Sequence, residues 1–115
     1  MVEESPSTAE MMVLVLTGIG FDVVHCANGY AAVEIAQHWS PGLVLLESRL
    51  PDLSGAEVCR LLRNPVAVPV MIVSTETDPG EIATVMAAGA CGYLRKPFRC
   101  SELLNRVFTE LGIGP

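Results

Sequence analysis

Hydrophobic residues occur along this chain in short runs that alternate with stretches of helical periodicity. The runs predict four strands, because short apolar runs between turn residues are typical of buried parallel strands. These predicted strands are residues 21–25, 43–46, 68–73 and 92–95. Apolar residues at helical spacing predict five helices, at residues 6–16, 29–38, 55–63, 79–88 and 101–111. Because strand and helix alternate, the predicted fold class is doubly wound α/β with a parallel sheet.

Local signals predict where the helices begin and end. Ser7 and Glu10 match a capping box for the first helix, and Gly18 is expected to end that helix. Asn28 and Asp78 are predicted to cap the second and fourth helices, since their side chains accept hydrogen bonds from free backbone amides. One face of the third helix is expected to be apolar, with Val58, Leu61 and Leu62.

The predicted elements start with a helix, which leaves the sheet one strand short. Only Met1 and Val2 resemble the remnant of a first strand. An empty strand position would leave unpaired backbone groups, which are costly to bury and promote aggregation. Three explanations remain. The sequence starts inside the strand, a partner chain supplies the strand, or the four strands pair anew. The first is the favoured origin. Residues 1–115 are predicted to form a single domain, with 112–115 as a frayed end or the start of a linker.

Composition narrows the classes of function. The net charge of −6 argues against direct binding to nucleic acid. The four cysteines form no Cys-x-x-Cys pair, and buried free thiols in a reducing cytosol are expected. The acidic start lacks the features of a signal peptide, and no apolar run is long enough for a membrane span. The chain is therefore predicted to be cytoplasmic, with no membrane contact.

The most informative residue is Glu47, which closes the apolar run 43–46 and precedes a turn into the third helix. An acid at the carboxyl end of a buried parallel strand lies where open α/β sheets keep their active sites. The sequence therefore predicts a functional site at this edge of the sheet.

Several motifs occur in order at matching spacing, and together they carry a resemblance to a known family. They are residues 20–23, residues 41–47 with Pro51 and Gly55, residues 88–90, and residues 93–98 with Glu102 and Leu103. The chain resembles the receiver domain of bacterial two-component response regulators, from Val2 to Leu111. The resemblance implies the flavodoxin-like strand order 2-1-3-4-5, whose central first strand is truncated or missing here.

The resemblance also implies roles for individual residues. Glu47 takes the phosphoacceptor position, and the implied magnesium ligands are Glu3, Glu4, Glu47 and the backbone carbonyl of Arg49. The implied switch and phosphoryl-contact positions are Ser74, Tyr93, Lys96 and Pro97, of which Pro97 is the family's cis-proline.

The three acids depart from the family pattern, because each is a glutamate where the family carries aspartate. Phosphotransfer needs a carboxylate at a fixed position, and one extra methylene moves it further than productive geometry tolerates. Three interpretations stay open for Glu47: a scaffold without phosphotransfer, a built-in mimic of the phosphorylated state, and a structural charge paired with Lys96. Three carboxylates in one pocket would still bind magnesium weakly.

The predicted function is a non-enzymatic pseudo-receiver, a protein-interaction module in two-component signalling that does not depend on phosphorylation. The alternatives are an authentic magnesium-dependent phosphoacceptor and a ligand-binding module that uses the altered acidic pocket. The expected partner is a histidine kinase or an output protein, bound through the fourth helix, fifth strand and last helix. The first helix is apolar on nearly every side, which predicts a partner or homodimer surface.

Overall fold

The computed structural model describes residues 1–63 and 68–113, in which five helices surround a parallel sheet. The helices are α1 (Pro6–Gly18), α2 (Gly29–His38), α3 (Gly55–Leu62), α4 (Pro79–Ala87) and α5 (Cys100–Leu111). The strands β1 (Val44–Leu46), β2 (Val70–Ser74) and β3 (Gly92–Arg95) pair in that order. The predicted doubly wound α/β class is confirmed. Residues 114–115, part of the predicted frayed end, lie outside the described residues.

Residues 1–3 occupy the central strand position that the sequence left in doubt. Val2 forms parallel bridges with Cys26 on one side and Leu46 on the other. Its amide donates to the Leu45 carbonyl at 2.8 Å, and its carbonyl accepts from the Glu47 amide at 3.0 Å. The segment order is therefore 24–26, 1–3, β1, β2 and β3, which matches the implied order 2-1-3-4-5.

The structure rules out one of the three explanations for the missing strand and corrects one predicted strand. The four strands do not pair anew, because residues 1–3 lie between Cys26 and β1. The predicted strand at residues 21–25 is not formed: the Val24 carbonyl accepts from the Met1 amino group at 2.9 Å, and the isolated bridge lies one residue beyond the range, at Cys26. The physical reason is the short central segment, which offers backbone partners to only a few residues.

The core has two parts, one on each face of the sheet. Helices α1 and α5 cover one face through buried side chains, namely Met12, Leu16, Leu103 and Val107. Helices α2, α3 and α4 cover the other through Ala32, Val58, Leu62 and Val85. Leu61 is exposed, contrary to expectation. Helical geometry turns it about 100° away from Leu62, so it lies outside the buried face.

The structure confirms two predicted helix caps and corrects a third. The side chain of Asn28 accepts a 2.9 Å hydrogen bond at the start of α2, and Asp78 does the same for α4. The predicted capping box at Ser7 is wrong, because α1 begins earlier and its N-cap is Ser5. The amide of Ser5 donates to the Glu3 carboxylate at 3.0 Å, which fixes the turn before Ser7 is reached.

Helix α1 buries one side and leaves apolar surface on the other. Ala9, Met12 and Leu16 are buried, whereas Leu14 is 66% exposed. The exposed side is compatible with the predicted partner or homodimer surface, which stays a prediction. Across the described ranges 1–63 and 68–113, no helix combines the length and the apolar character that crossing a membrane would require.

An apolar cavity of about 360 Å³ lies beside Met1, at the amino ends of the strands. Its lining includes side chains from both sides of the central segment: Met1, Phe21, Val24, Ala36, Leu43 and Leu111. The short central segment leaves this space between residues 21–24 and the residues that lead into β1. The sheet is consequently less well packed at this end than at its carboxyl end.

The four cysteines are free thiols, as predicted, but the expected burial is confirmed for only two of them. Cys26 and Cys59 are buried, whereas Cys91 and Cys100 are exposed. Burial raises the pKa of the Cys59 thiol to about 11, so this thiol stays protonated and unreactive.

Candidate functional site

Four predicted site residues meet at the carboxyl edge of the sheet. Glu3 ends the central segment, Glu47 follows β1, Ser74 ends β2 and Lys96 follows β3. The Lys96 amide donates to the Ser74 carbonyl at 2.8 Å, which ties the end of β3 to the end of β2. Parallel strands bring their carboxyl ends to one edge, so residues far apart in sequence come together there.

Glu3, Lys96 and Glu47 form a largely buried ionic triad. The Lys96 Nζ atom lies 2.7 Å from Glu47 Oε2 and also donates a hydrogen bond to Glu3 Oε1. The side chains of Lys96, Glu47 and Glu3 are only 13%, 10% and 4% exposed. Removing one partner of such a group leaves a charge without compensation, which is strongly destabilising.

Two members of the triad, Lys96 and Glu47, have shifted pKa values. Burial by itself would lower the pKa of Lys96, but hydrogen bonds to Glu3 and Glu47 raise it overall. Burial would raise the pKa of Glu47, but the combined effects of Lys96, Ser74 and the Arg49 amide lower it overall. Lys96 is therefore a cation and Glu47 an anion at neutral pH.

The second carboxylate oxygen of Glu47 is bound by the loop that follows β1. Its Oε1 accepts hydrogen bonds from the Ser48 amide at 2.8 Å, the Ser48 hydroxyl at 3.3 Å and the Arg49 amide at 3.4 Å. The Ser48 and Ser74 hydroxyls are 2.6 Å apart. Both oxygens of Glu47 are thus held by this chain's own donors.

Gly55 allows the loop to close tightly around Glu47. The Gly55 amide donates to the Ser48 carbonyl at 2.8 Å. A Cβ atom at Gly55 would lie 2.9 Å from the Ser48 Cα atom, so a larger residue would displace the loop backbone. The glycine at this position is therefore needed for the geometry of the site.

The residues at the predicted switch positions are linked through Glu76. The Ser74 hydroxyl, which is buried, accepts from the Glu76 amide at 3.1 Å. The Tyr93 hydroxyl donates to the Glu76 carbonyl at 2.8 Å. Tyr93 is half-buried, so it is more enclosed than a tyrosine on a bare sheet edge. The bond between Lys96 and Pro97 is cis, as the resemblance implied.

The implied magnesium ligands are not all brought together. Glu4 is exposed, because the chain turns into α1 directly after Glu3 has entered the site. In residues 1–63 and 68–113, no set of three or more acidic, histidine or cysteine side chains is arranged to hold a metal ion. Glu3 and Glu47 are oxygen donors of the kind that magnesium accepts, so the donor chemistry fits at these two residues. Lys96 already occupies the position between them.

Sequence reasoning missed three residues that build the site. Ser48 binds Glu47, and Glu76 joins the two switch positions. Asp52 accepts from the amide of Gly29 at 2.8 Å and from that of Tyr30 at 2.9 Å, which ties the β1–α3 loop to the start of α2. The only sequence signal for Asp52 was an acidic residue in a loop near a helix N-terminus, which is too common to single out.

Comparison with known sequences places these features in a family. The family model for the response regulator receiver domain matches residues 1–108. The DNA-binding response regulator MtrA of Mycolicibacterium smegmatis is 38% identical over 110 residues, covering 96% of this chain and 48% of that protein. The transcriptional regulatory protein KdpE of Mycobacterium tuberculosis is 32% identical over 106 residues, covering 92% and 47%. The chain thus spans about half the length of the curated relatives it matches.

Solved structures show the same architecture. The receiver domain of the sensor histidine kinase PA1611 from Pseudomonas aeruginosa has a TM-score of 0.88 and 28% identity, covering 96% of this chain and 93% of that one. That structure contains a magnesium ion coordinated in its active site cleft. The receiver domain of the response regulator NarL from Mycobacterium tuberculosis has a TM-score of 0.90 and 26% identity, covering 96% and 92%.

Proposed function

The chain belongs to the response regulator receiver domain family, and we propose that it acts in two-component signalling as a protein-interaction module that does not depend on phosphorylation. In this proposal the domain is a pseudo-receiver that catalyses no reaction. It works in the cytoplasm, where a histidine kinase or an output protein binds it.

The observation that carries the proposal is the double engagement of Lys96 by Glu47 and Glu3. In the receiver family, the lysine at this position contacts the phosphoryl group. Here the longer Glu47 side chain reaches Lys96 at 2.7 Å while its other oxygen is bound by the Ser48 amide. An anionic side chain therefore supplies, without modification, part of the charge that a phosphoryl group would bring to this lysine.

The proposed interaction surface consists of α4, β3 and α5, residues 79–87, 92–95 and 100–111, and is called the output surface below. Strand β3 is at the edge of the sheet, and Tyr93 lies on it. Helix α4 buries only Val85 and exposes Met86, so most of its surface is free for a partner within the described part of the chain. An exposed apolar side chain on such a helix supports a protein contact.

Weak magnesium binding forms part of the proposal, with Glu3, Glu47 and the Arg49 carbonyl as the ligands. When bound, the ion supplies positive charge that neutralises the two carboxylates. Because Lys96 already does this, an added cation gains little, and the affinity is low. Titration with magnesium, followed by the chemical shifts of the Glu3 and Glu47 carboxyl groups, tests this assignment. A variant in which Glu3→Gln and Glu47→Gln are combined serves as the control and is expected to show no response.

Exposure to a small acyl phosphate and magnesium tests independence from phosphorylation. We expect no added phosphate on the natural chain and a magnesium-dependent mass increase in Glu47→Asp, whose shorter carboxylate restores the family geometry. The double variant Glu47→Asp with Asp52→Asn is the matched control, because it excludes labelling of the neighbouring loop aspartate. A phosphate mapped to Glu47 in the natural chain would instead establish the second candidate, an authentic phosphoacceptor, which the similarity to response regulators favours.

A second measurement separates the mimic from an inert scaffold. Glu47→Gln keeps the size of the side chain but removes its charge. If Glu47 mimics a phosphorylated state, hydrogen exchange on the output surface should become faster in this variant. Unchanged exchange would leave the scaffold as the better description.

A further inference from the structure

A second group of charges joins the two loops that leave β1 and β2. The Arg49 Nη2 atom lies 2.5 Å from Glu76 Oε2 and 3.3 Å from Glu81 Oε2. Arg49 follows Glu47 in the first loop, whereas Glu76 precedes α4 and Glu81 lies in its first turn. We call Arg49, Glu76 and Glu81 the ionic strap. None of its members takes part in the ionic triad.

The strap differs from an ordinary surface ion pair in the environment of Glu76. The Arg49 side chain is 71% exposed, but that of Glu76 is only 9% exposed. The other Glu76 carboxylate oxygen accepts from the amides of Thr77 at 3.0 Å and Asp78 at 2.9 Å. Exposed pairs between two flexible side chains contribute little, because both must be ordered. Here one partner is already fixed, so Arg49 alone has to be ordered.

Glu76 transmits the position of its loop to Tyr93. Its backbone carbonyl accepts from the Tyr93 hydroxyl, and its amide donates to Ser74 in the functional site. Tyr93 is thus oriented by a loop carbonyl, and that loop is held in turn by Arg49. The arrangement connects Arg49 with an aromatic side chain on the output surface through a single intervening residue.

We propose that Arg49 is a positioning residue which, through Glu76, holds Tyr93 and the first turn of α4 in one arrangement and thereby sets the conformation of the output surface. The link to signalling rests on the proposed function, whereas the ion pairs of the strap do not include the Glu47 carboxylate. Salt, or an anionic group of a partner that competes for Arg49, releases the loop.

The test removes the cation of Arg49 and reads Tyr93 directly. The chain has two tyrosines, so the exposed Tyr30 is first changed to Phe, which leaves Tyr93 as the single phenol. Arg49→Met is then introduced, with Arg49→Lys as the conservative rescue and Arg60→Met on α3 as a matched exposed control. Phenol titration by ultraviolet absorbance and hydrogen exchange at Thr77 and Asp78 are measured in each variant.

We expect the amides of Thr77 and Asp78 to exchange about fivefold faster in Arg49→Met than in its parent chain. Burial raises the pKa of the Tyr93 phenol. If loss of the Arg49 cation frees Tyr93 from its position, the pKa of this phenol should move down towards the ordinary value. Arg49→Lys should restore part of both effects, and Arg60→Met should change neither. The natural chain in high salt should behave like Arg49→Met.

The proposal would be overturned if Arg49→Met changed neither hydrogen exchange nor the Tyr93 titration. It would also be overturned if salt affected the natural chain and Arg49→Met equally. Glu81→Gln is a milder second variant that keeps the 2.5 Å contact between Arg49 and Glu76. It should give a smaller effect in the same direction, and an effect equal to that of Arg60→Met would count against the strap. None of these measurements uses a phosphodonor or a partner. A negative result would therefore count against the role of Arg49 and not against the proposed function.

Discussion

The two ends of the same short sheet are stabilised in different ways. At the carboxyl end, the buried polar side chains are held by defined hydrogen bonds, and none in residues 1–63 and 68–113 lacks a partner. At the amino end, apolar side chains surround a cavity of about 360 Å³ beside Met1. Hydrogen bonds and ion pairs fix the carboxyl end of the sheet, whereas the amino end is incompletely packed.

This difference shows which end tolerates substitution. A buried charge that loses its partner has no alternative, so the carboxyl end should respond strongly to single changes. An apolar cavity lacks contacts already, so added volume there can improve packing. The variants below test this contrast, beginning with the largest expected effect.

Removal of the central cation should be the most damaging change. Lys96→Met leaves Glu3 and Glu47 buried together without compensation, and we expect a loss of about 3–5 kcal/mol in the free energy of unfolding. Urea unfolding at neutral pH measures it. Arg95→Met removes an exposed cation from the adjacent position and should cost less than about 0.5 kcal/mol.

A second variant separates charge from packing at Lys96. Adding Glu47→Gln to Lys96→Met removes one of the two uncompensated charges and should recover part of the lost stability. Equal stability of Lys96→Met and Arg95→Met would show that the ionic triad does not stabilise the carboxyl end.

Loss of the buried hydroxyl at the end of β2 should have an intermediate effect. Ser74→Ala leaves the Ser48 hydroxyl and the Glu76 amide without their common partner, and a buried unpaired group costs about 1–3 kcal/mol. Ser101→Ala on the exposed surface of α5 is the control. A cost no larger than that of Ser101→Ala would mean that water replaces the hydroxyl without penalty.

Filling the cavity should raise the free energy of unfolding, whereas the changes above lower it. Ala36 lines the cavity from α2, and Ala36→Leu should raise stability by up to about 1 kcal/mol. The thermal midpoint measures this gain, and Ala83→Leu on exposed α4 controls for helix propensity. Destabilisation by Ala36→Leu alone would indicate that the amino end is as rigid as the carboxyl end.

Changes of pH within a broad range around neutrality should have the smallest effect on the free energy of unfolding. The pKa of Glu47 is lowered on folding, so its pairing stabilises above the ordinary value of 4.5 and is lost as pH falls through the folded value. The pKa of Lys96 is raised, so its pairing stabilises below 10.5 and is lost as pH rises through the folded value. The triple variant Glu3→Gln, Glu47→Gln, Lys96→Met has no titratable group at the triad, so the difference in urea midpoint between the natural chain and this variant should be flat between these limits. A slope near neutral pH would contradict both assignments.

The fold could largely be predicted because its signals are local. Apolar runs gave β1, β2 and β3, and the side chains of Asn28 and Asp78 act on backbone amides a few residues away. The capping residue of α1 was misassigned because Glu3, which lies outside the helix, fixes the turn at Ser5. The central segment was uncertain because three residues are too few for a periodic pattern.

The candidate site could be predicted only where the family resemblance assigns a role. Glu47, Ser74 and Lys96 meet as expected, whereas Glu4 lies outside. The exclusion of Glu4 could not be read from sequence, because it follows from the turn into α1 directly after Glu3. The role of Glu76 could not be read from sequence, because it arises from the packing of two loops and a tyrosine from a third segment.

The cavity beside Met1 also has a mechanical consequence. A folded chain that encloses a void occupies more volume than its atoms and hydration require, and unfolding eliminates that excess. We therefore expect hydrostatic pressure to favour opening of the amino end, where side chains leave space unfilled.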